Sequence, residues 1–383
     1  MVEEVSVVAY FADDPTRVYQ LSQWLPVLEV LDEVHPVALV VRDAGVAAHL
    51  EERTRLLVLL APSFPELRAL YDLLDAKVAL YCNNSMLNFQ SLLEPRMLHV
   101  HVNHGESDKQ SMASNNAKAY DRVLVAGEAA VQRHLGALME LDVSRLVRVG
   151  RPQLDVPRER TLPPSTRRTL LYAPTWEGDA DYNDYTSVGV MGAGVVDAML
   201  AVPDVRVVYK PHPKVVTSTR PDVREGHRAI TALVAGRALA DPEAGHLTLS
   251  SGDVLSLMPD CDALVTDVSS VGLDWLYLRN EKPLLLTDKH ADADRLREEV
   301  PVSRCADVVQ PSDLPGLTGL LAARLDHDEH HLARVAMRHH YFDDVAVGES
   351  TTRFLTVLSE LVALRDRWQG VVPSLGDRVG ITA

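Results

Sequence analysis

The sequence is poor in cysteine, in long hydrophobic runs and in positive charge. Its three cysteines, scattered over 383 residues, lack the spacing of a zinc site, so neither a disulfide framework nor a bound metal is expected. The longest apolar runs, such as LLVLLAP after Arg55, are far shorter than the roughly 20 residues of a membrane-spanning helix. The opening residues, MVEEVSVVAYF, lack the basic start of a secretory signal. These absences predict a cytoplasmic protein.

Acidic residues outnumber basic ones, 54 against 38, which gives a formal net charge of −16. A field of that sign repels nucleic acid and anionic lipid, so no nucleic-acid partner is expected. Any phosphate site would have to be built from a few positioned cations and backbone amides. The positions of lysine and histidine are therefore informative.

What the sequence does contain is an alternation of apolar, β-rich runs with helical patterns. They include a helix predicted over residues 18–30 and, in the second half, the strand-like run HLTLS, residues 246–250. This alternation predicts an α/β protein made of parallel βαβ units. It is interrupted by RPQLDVPRERTLPPSTRR, residues 151–168, which has the composition of a linker, and then resumes. We therefore predict Rossmann-like doubly wound domains over residues 1–157 and 169–350. Residues 351–383 are predicted to form a helix that returns to the first domain, followed by a tail.

Four groups of polar residues directly follow apolar runs. In open α/β sheets, ligands bind beyond the carboxyl ends of the strands, so these groups are the candidate site residues. They are His104, Gly105 and Lys109; Thr175 and Trp176; Lys210 and His212; and Asp267, Ser269 and Ser270.

Ser269 and Ser270 lie where a helix is predicted to begin. Unpaired N–H groups and the positive end of the helix dipole favour a phosphate at such a position. The alternative is that one serine only caps the helix, which is the commoner use of an isolated serine there. Both interpretations stay open at this point.

Two histidines are candidate functional groups. His212 lies in KPHPK, where a proline on each side limits the direction of its ring, and a fixed imidazole between two lysines suits a pyrophosphate. The alternative for KPHPK is a surface turn with solvated lysines. His104 just follows a predicted strand and could act as a general base, because the ordinary pKa of histidine is near neutrality. His101, inside the strand, is interpreted as structural.

Two stretches rich in histidine or acidic residues do not lead to a predicted metal site. HDEHHLARVAMRHH, residues 327–340, has the pattern of a charged helix face without flanking cysteine. YAPTWEGDADYNDY, residues 172–185, has acidic residues at spacings typical of an exposed loop.

Taken together, the four groups resemble the CDP-glycerol glycerophosphotransferase family, the teichoic acid primases and polymerases with a GT-B fold. The family usually has an arginine at the position of Glu177 and an aromatic residue at the position of Val268, and an arginine exchanged for a carboxylate is not a neutral change. The resembling elements occur in the family's order: HGxxxK (104–109), GxP…D (150–155), APTW (173–176), KPHP (210–213) and TDxSSxxxD (266–274).

This resemblance implies two Rossmann-like domains facing a cleft, the first for the acceptor and the second for the nucleotide donor. It also implies the transfer of a glycerol- or ribitol-type phosphate from a CDP-linked donor to an acceptor hydroxyl, with release of CMP. The acceptor would be a polyol phosphate, a glycan or a lipid-linked primer of a teichoic-acid-like or capsular polymer. The resemblance implies no cofactor, because the CDP-alditol is a substrate. It does imply peripheral contact with the inner face of the cell membrane. The implied catalytic residues are His104 and His212; the donor-binding residues are Lys210, Ser269, Ser270, Asp267, Asp274 and Thr175; Gly105 and Lys109 lie on the acceptor side.

Two other functions stay open. A GT-B glycosyltransferase or epimerase would keep the phosphate site but act on a nucleotide sugar. A catalytically silent nucleotide-binding subunit of a surface-polymer assembly is compatible with the carboxylate at Glu177.

Overall fold

The computed structural model describes residues 5–109, 112–178 and 180–371, so the end of the predicted tail lies outside the described residues. The chain divides into two compact units. The first comprises residues 1–104, 113–156 and 344–383, and the second comprises residues 105–112 and 157–343. The short segment 105–112 thus belongs with the second unit, where the Tyr341 hydroxyl donates a hydrogen bond to Asp108 (2.5 Å).

The described residues contain thirteen strands and fifteen α-helices. The strands are β1 Val7–Phe11, β2 Val37–Val41, β3 Leu57–Leu60, β4 Val78–Tyr81, β5 Leu98–His101, β6 Arg122–Val125, β7 Leu146–Arg148, β8 Arg168–Ala173, β9 Val205–Tyr209, β10 Leu247–Thr248, β11 Ala263–Thr266, β12 Leu284–Thr287 and β13 Asp307–Val309. The helices are α1 Tyr19–Ser22, α2 Leu25–Asp32, α3 Ala44–Glu51, α4 Phe64–Leu73, α5 Asn88–Ser91, α6 Glu128–Ala137, α7 Pro152–Asp155, α8 Gly192–Leu200, α9 Pro213–Val216, α10 Pro221–Ala240, α11 Ser270–Leu278, α12 Ala293–Glu299, α13 Leu317–Asp326, α14 His331–Phe342 and α15 Glu349–Val371.

Each unit is built on its own sheet of parallel strands. In the first unit the strand order is β3-β2-β1-β4-β5-β6-β7, and in the second it is β10-β9-β8-β11-β12-β13. The chain order reverses between β1 and β4 and again between β8 and β11, which are the topological switch points where ligands bind in such sheets. The predicted parallel α/β architecture is confirmed.

The central strands β1, β2 and β4 of the first unit are buried along their whole length, because both faces of the sheet are covered there. Successive residues of a strand point to opposite faces. Accordingly, Val7, Ala9 and Phe11 lie in one buried cluster, whereas Val8 and Tyr10 lie in another. The residue-by-residue alternation explains why these runs show no polar positions in the sequence.

The last helix, α15, packs against the first unit. Its residues Phe354, Leu358 and Leu361 recur at helical spacing and join the buried cluster that contains Val7 and Phe11. This confirms the predicted return of the C-terminal helix to the first domain. Among the described residues, no helix combines the length and the apolar composition that crossing a bilayer requires.

Candidate functional site

The start of α11 lies directly after β11 in the second unit. Ser269 is the N-cap of this helix, with extended backbone angles, and its Oγ accepts a hydrogen bond from the Val271 N–H (3.3 Å). The capping interpretation therefore describes the hydroxyl of Ser269. Ser270 is the first helical residue, and Gly105 lies against it, since a Cβ added to Gly105 would be 3.3 Å from the Ser270 Cβ. The second unit thus brings Gly105 and Ser270 together.

Asp267 is fully buried, and its carboxylate is bound by the protein's own groups. Its Oδ2 accepts the Thr175 N–H (2.8 Å) and the Ser187 N–H (3.3 Å), while its Oδ1 accepts the hydroxyls of Ser187 (2.5 Å) and Thr287. Burial raises the pKa of Asp267 to about 6, although these hydrogen bonds oppose the rise. The carboxylate thus joins the chain after β8, after β11 and at the end of β12.

Further hydrogen bonds tighten the same three connections. The Thr266 hydroxyl donates to the Ala173 carbonyl (2.6 Å), and the Tyr172 hydroxyl lies 2.6 Å from Ser187 Oγ. Ser187 and Thr287 were not candidates in the sequence analysis. They lie 80 and 20 residues from Asp267, and neither local spacing nor composition indicates the pairing.

Lys210, at the carboxyl end of β9, is a buried lysine. The residue is 5% exposed, and its Nζ donates a hydrogen bond to the Pro211 carbonyl (3.4 Å). Among the residues that the structure describes, no carboxylate oxygen lies within 4.0 Å of this Nζ. Burial lowers the pKa of Lys210, and the charge of Asp253 partly opposes that change. Binding an anion would compensate the desolvation of this ammonium, so the position favours an anionic ligand.

His212 is held in a fixed orientation beside Trp176. Its Nδ1 accepts the Lys214 N–H (3.2 Å), so a neutral ring carries its proton on Nε2. The rings of His212 and Trp176 are stacked with centroids 6.0 Å apart, and Lys214 Nζ lies 3.6 Å from the Trp176 centroid. KPHPK is therefore an organised structure with one lysine buried and the other over an aromatic ring.

Three more predicted residues lie in the second unit. Thr175 is buried and is fixed through its N–H to Asp267. Asp274 is buried within α11, one turn after Ser270. Lys109 has its Nζ 5.9 Å from the ring centroid of Tyr185.

Glu177 is held by a hydrogen bond to one of its two carboxylate oxygens. Its Oε1 accepts a hydrogen bond from the Ser218 hydroxyl. Its Oε2 is buried, and the described part of the chain supplies no hydrogen-bond partner for it. The carboxylate is therefore fixed in orientation, and its Oε2 accepts no hydrogen bond from the described residues.

His104 lies in the first unit, three residues after the end of β5. Its ring stands edge-on to Tyr19, with centroids 6.1 Å apart, and its Nδ1 is buried without a hydrogen-bond partner among the described residues. Burial, with a smaller contribution from the charge of Arg151, lowers the pKa of His104 to about 4. The imidazole is consequently neutral at pH 7, which is the form that a general base needs.

The GxP…D element has a structural role in the first unit. Gly150 has φ +77°, and a Cβ there would lie 2.1 Å from the Ser350 Oγ, so both the backbone angle and the space require glycine. Asp155 accepts the N–H groups of Gly348 and Thr351, both at 2.8 Å, and thereby caps the start of α15.

Asp155→Ala is expected to destabilise the first unit by about 1–2 kcal/mol, because two N–H groups at the start of α15 lose their acceptor. Urea unfolding monitored by circular dichroism would show the lower midpoint, and Asp155→Asn, which keeps one acceptor oxygen, should lose less. An unchanged midpoint for Asp155→Ala would contradict the capping role.

No group of three or more histidine, cysteine, aspartate or glutamate side chains is placed to hold a metal ion within the described ranges. In the histidine-rich helix region, His330 Nε2 lies 3.3 Å from Asp307, and Arg334 is bound to the Asn280 carbonyl (2.9 Å) and to Asp328. These side chains belong to packing and ion pairs within the second unit.

Comparisons with known proteins agree with this architecture. The model of the family described as CDP-Glycerol:Poly(glycerophosphate) glycerophosphotransferase matches residues 96–295, more than half of the chain. The structure of the wall teichoic acid polymerase TagF is similar with a TM-score of 0.61 at 14% identity, over 95% of this chain and 90% of that chain. No curated protein sequence matches the chain.

Two further solved structures have the same fold. A putative UDP-N-acetylglucosamine 2-epimerase from Listeria monocytogenes has a TM-score of 0.58 at 13% identity, over 96% of this chain and 97% of that one. Anabaena Alr3699/HepE, solved in complex with UDP and glucose, has a TM-score of 0.55 at 13% identity, over 93% of this chain and 100% of that one. At such identities the likeness establishes the fold alone, and the predicted GT-B class is confirmed.

Proposed function

Because the chain belongs to the CDP-Glycerol:Poly(glycerophosphate) glycerophosphotransferase family, we propose that it transfers a polyol phosphate from a CDP-alditol to an acceptor hydroxyl. The acceptor oxygen forms a bond to the phosphorus that carries the alditol, the bond from that phosphorus to the bridging oxygen breaks, and CMP leaves. The acceptor would be a polyol phosphate, a glycan or a lipid-linked primer, in the synthesis of a teichoic-acid-like or capsular surface polymer.

The observation that carries the proposal is that Lys210 is buried and that no carboxylate oxygen of the described residues lies within 4.0 Å of its Nζ. Phosphoryl transfer depends mainly on positioning and on stabilising the charge of the transferring group. In a chain of net charge −16, such a cation at the carboxyl end of β9 supplies the local attraction that the overall field lacks. The first turn of α11 adds backbone N–H groups and a helix dipole.

We assign the remaining residues as follows. His212 would donate its Nε2 proton to a phosphate oxygen, since its Nδ1 is occupied by the Lys214 N–H. Asp267 would act as a positioning residue, because it accepts hydrogen bonds from Thr175, Ser187 and Thr287 and these bonds fix the loops that carry Thr175 and Ser269. His104 of the first unit would remove the proton from the acceptor hydroxyl.

The decisive experiment is a donor panel. The protein is incubated with CDP-glycerol, CDP-ribitol, UDP-sugars and GDP-sugars in the presence of polyol-phosphate acceptors, and the nucleotides and products are identified by mass spectrometry. CMP release from a CDP-alditol with extension of the acceptor supports the proposal. Release of UDP or GDP would favour a glycosyltransferase or epimerase, and binding without turnover would favour a silent nucleotide-binding subunit.

Ser270→Ala is expected to weaken CDP-glycerol binding by about 10-fold while leaving stability unchanged, because its hydroxyl lies at the start of α11 but does not cap it. Ser269→Ala should in addition lower stability by about 1 kcal/mol, since it removes the N-cap. Titration calorimetry and thermal unfolding separate the two effects. Native affinity in the double variant would rule out the phosphate role of this helix start.

A further inference from the structure

The loop between β8 and α8 carries two buried oxygen atoms for which the described residues supply no hydrogen-bond donor. They are Oε2 of Glu177 and Oδ1 of Asn183. Nearly all buried polar atoms in folded proteins are paired, because an unpaired one loses its interaction with water without compensation. Two such acceptors in one loop therefore indicate a group that they are arranged to bind.

Asn183 lies against Gly178, the residue that follows Glu177. Gly178 has φ +75°, in the left-handed region, and a Cβ added there would lie 3.0 Å from both the Cβ and the carbonyl oxygen of Asn183. Gly178, directly after Glu177, therefore packs against Asn183. On its other side, Glu177 follows Trp176, whose ring is stacked on His212.

The chemistry of the oxygens restricts what they bind. A carboxylate only accepts hydrogen bonds and repels phosphate, so the partner of Glu177 must be a neutral or cationic hydrogen-bond donor. The hydrogen bond that Oε1 accepts from Ser218 holds the carboxylate in one orientation. In a CDP-alditol, the neutral donors are the hydroxyls of the alditol, the hydroxyls of the ribose and the amino group of the cytosine, whereas the diphosphate offers none. The cytosine amino group lies at the opposite end of the molecule from the alditol, which leaves the alditol and the ribose to compare.

We infer that Glu177, together with Asn183, accepts hydrogen bonds from hydroxyl groups of the donor's alditol and so determines which donor is used. The alditol is favoured over the ribose because it is esterified to the transferring phosphate, the group assigned to His212, and Trp176 joins His212 to Glu177 in the fold. This inference rests on the proposed function and adds the recognition of the transferred group to it.

Calorimetric titration of the full-length protein with CDP-glycerol and, separately, with CDP tests the inference. Glu177→Gln and Glu177→Ala are expected to weaken CDP-glycerol binding by about 10- to 100-fold, the usual cost of losing a hydrogen bond to a charged group, and to leave CDP binding within about 2-fold of wild type. Ser218→Ala, which releases the anchored oxygen, should weaken CDP-glycerol binding by less. Glu243→Gln, at an exposed position of the same unit, is the matched control and should change neither affinity.

Equal weakening of CDP-glycerol and CDP would assign Glu177 to the nucleotide, and unchanged affinity for both would assign it to the fold; either result overturns the inference. Turnover of the wild type is measured on the same samples. If the wild type releases CMP from CDP-glycerol and Glu177→Gln binds it normally, the inference fails and the proposed function stands. If the wild type releases CMP from no CDP-alditol, the proposed function itself fails, and the inference falls with it.

Discussion

His104→Ala is expected to lower turnover of a CDP-alditol by about 10²- to 10⁴-fold, the usual contribution of a positioned general base. Donor affinity should stay near the wild-type value, because His104 belongs to the first unit and the residues assigned to the donor belong to the second. Single-turnover kinetics with a verified acceptor, combined with calorimetric titration of the donor, measures both quantities. Turnover near the wild-type rate would exclude His104 as the base.

His212→Ala is the contrasting variant. Its ring is fixed by the Lys214 N–H and by stacking on Trp176, and its Nε2 is assigned to the transferring phosphate. Removing it should therefore lower both turnover and donor affinity, since a contact to the phosphate is lost in the ground state and in the transition state. Identical effects of the two substitutions on donor affinity would show that the roles have not been separated correctly.

The pH dependence gives an independent check on His104. Burial places the pKa of this histidine near 4, below the ordinary value of 6.5, so the neutral ring is retained as the pH falls through 6 and is lost only near 4. The acid limb of kcat/KM, which reports the free enzyme, should accordingly lie near pH 4. A limb near pH 6 would instead match the carboxyl of Asp267, whose pKa burial raises to about 6.

The two sheets were predictable because their strands are continuous apolar runs separated by helical patterns. Buried parallel strands need no polar positions, so each run is visible without knowledge of its neighbours. The ends of the helices and strands were less predictable, because local geometry decides them. A helix pattern continuous over residues 18–30 becomes two helices, Tyr19–Ser22 and Leu25–Asp32, and the run HLTLS contributes only Leu247–Thr248 to the second sheet.

The site residues at strand ends were predictable for the same reason, since a strand end fixes which residue comes next. Their roles were not, because roles depend on partners far away in the chain. The pairing of Asp267 with Ser187 and Thr287, and that of Asp155 with Thr351, join residues that no periodicity relates. That no carboxylate oxygen of the described residues lies within 4.0 Å of Lys210 Nζ is equally a property of the folded chain.

Lys210→Met is expected to reduce kcat/KM by about 10²- to 10³-fold, the cost of removing one positioned group that stabilises transition-state charge. The same substitution should raise the unfolding temperature. The residue is 5% exposed, and no carboxylate oxygen of the described residues lies within 4.0 Å of its Nζ. The folded protein therefore bears the desolvation cost of this charge, which a methionine of similar volume would not carry. The lowered pKa of Lys210 predicts a change of stability in the same direction. The unfolded chain binds this proton more tightly than the folded protein does, so the charged lysine favours unfolding.

The matched control for Lys210 is Lys282, whose Nζ lies 2.9 Å from Asp262 in the same unit. Lys282→Met should leave kcat/KM unchanged and should not raise stability, because its charge is paired and partly exposed. Activity is measured as CMP release, and stability by scanning calorimetry without donor, since bound donor would itself raise the unfolding temperature. A Lys210→Met variant that is less stable and fully active would mean that the ammonium serves the fold, and the anion site at the carboxyl end of β9 would have to be abandoned.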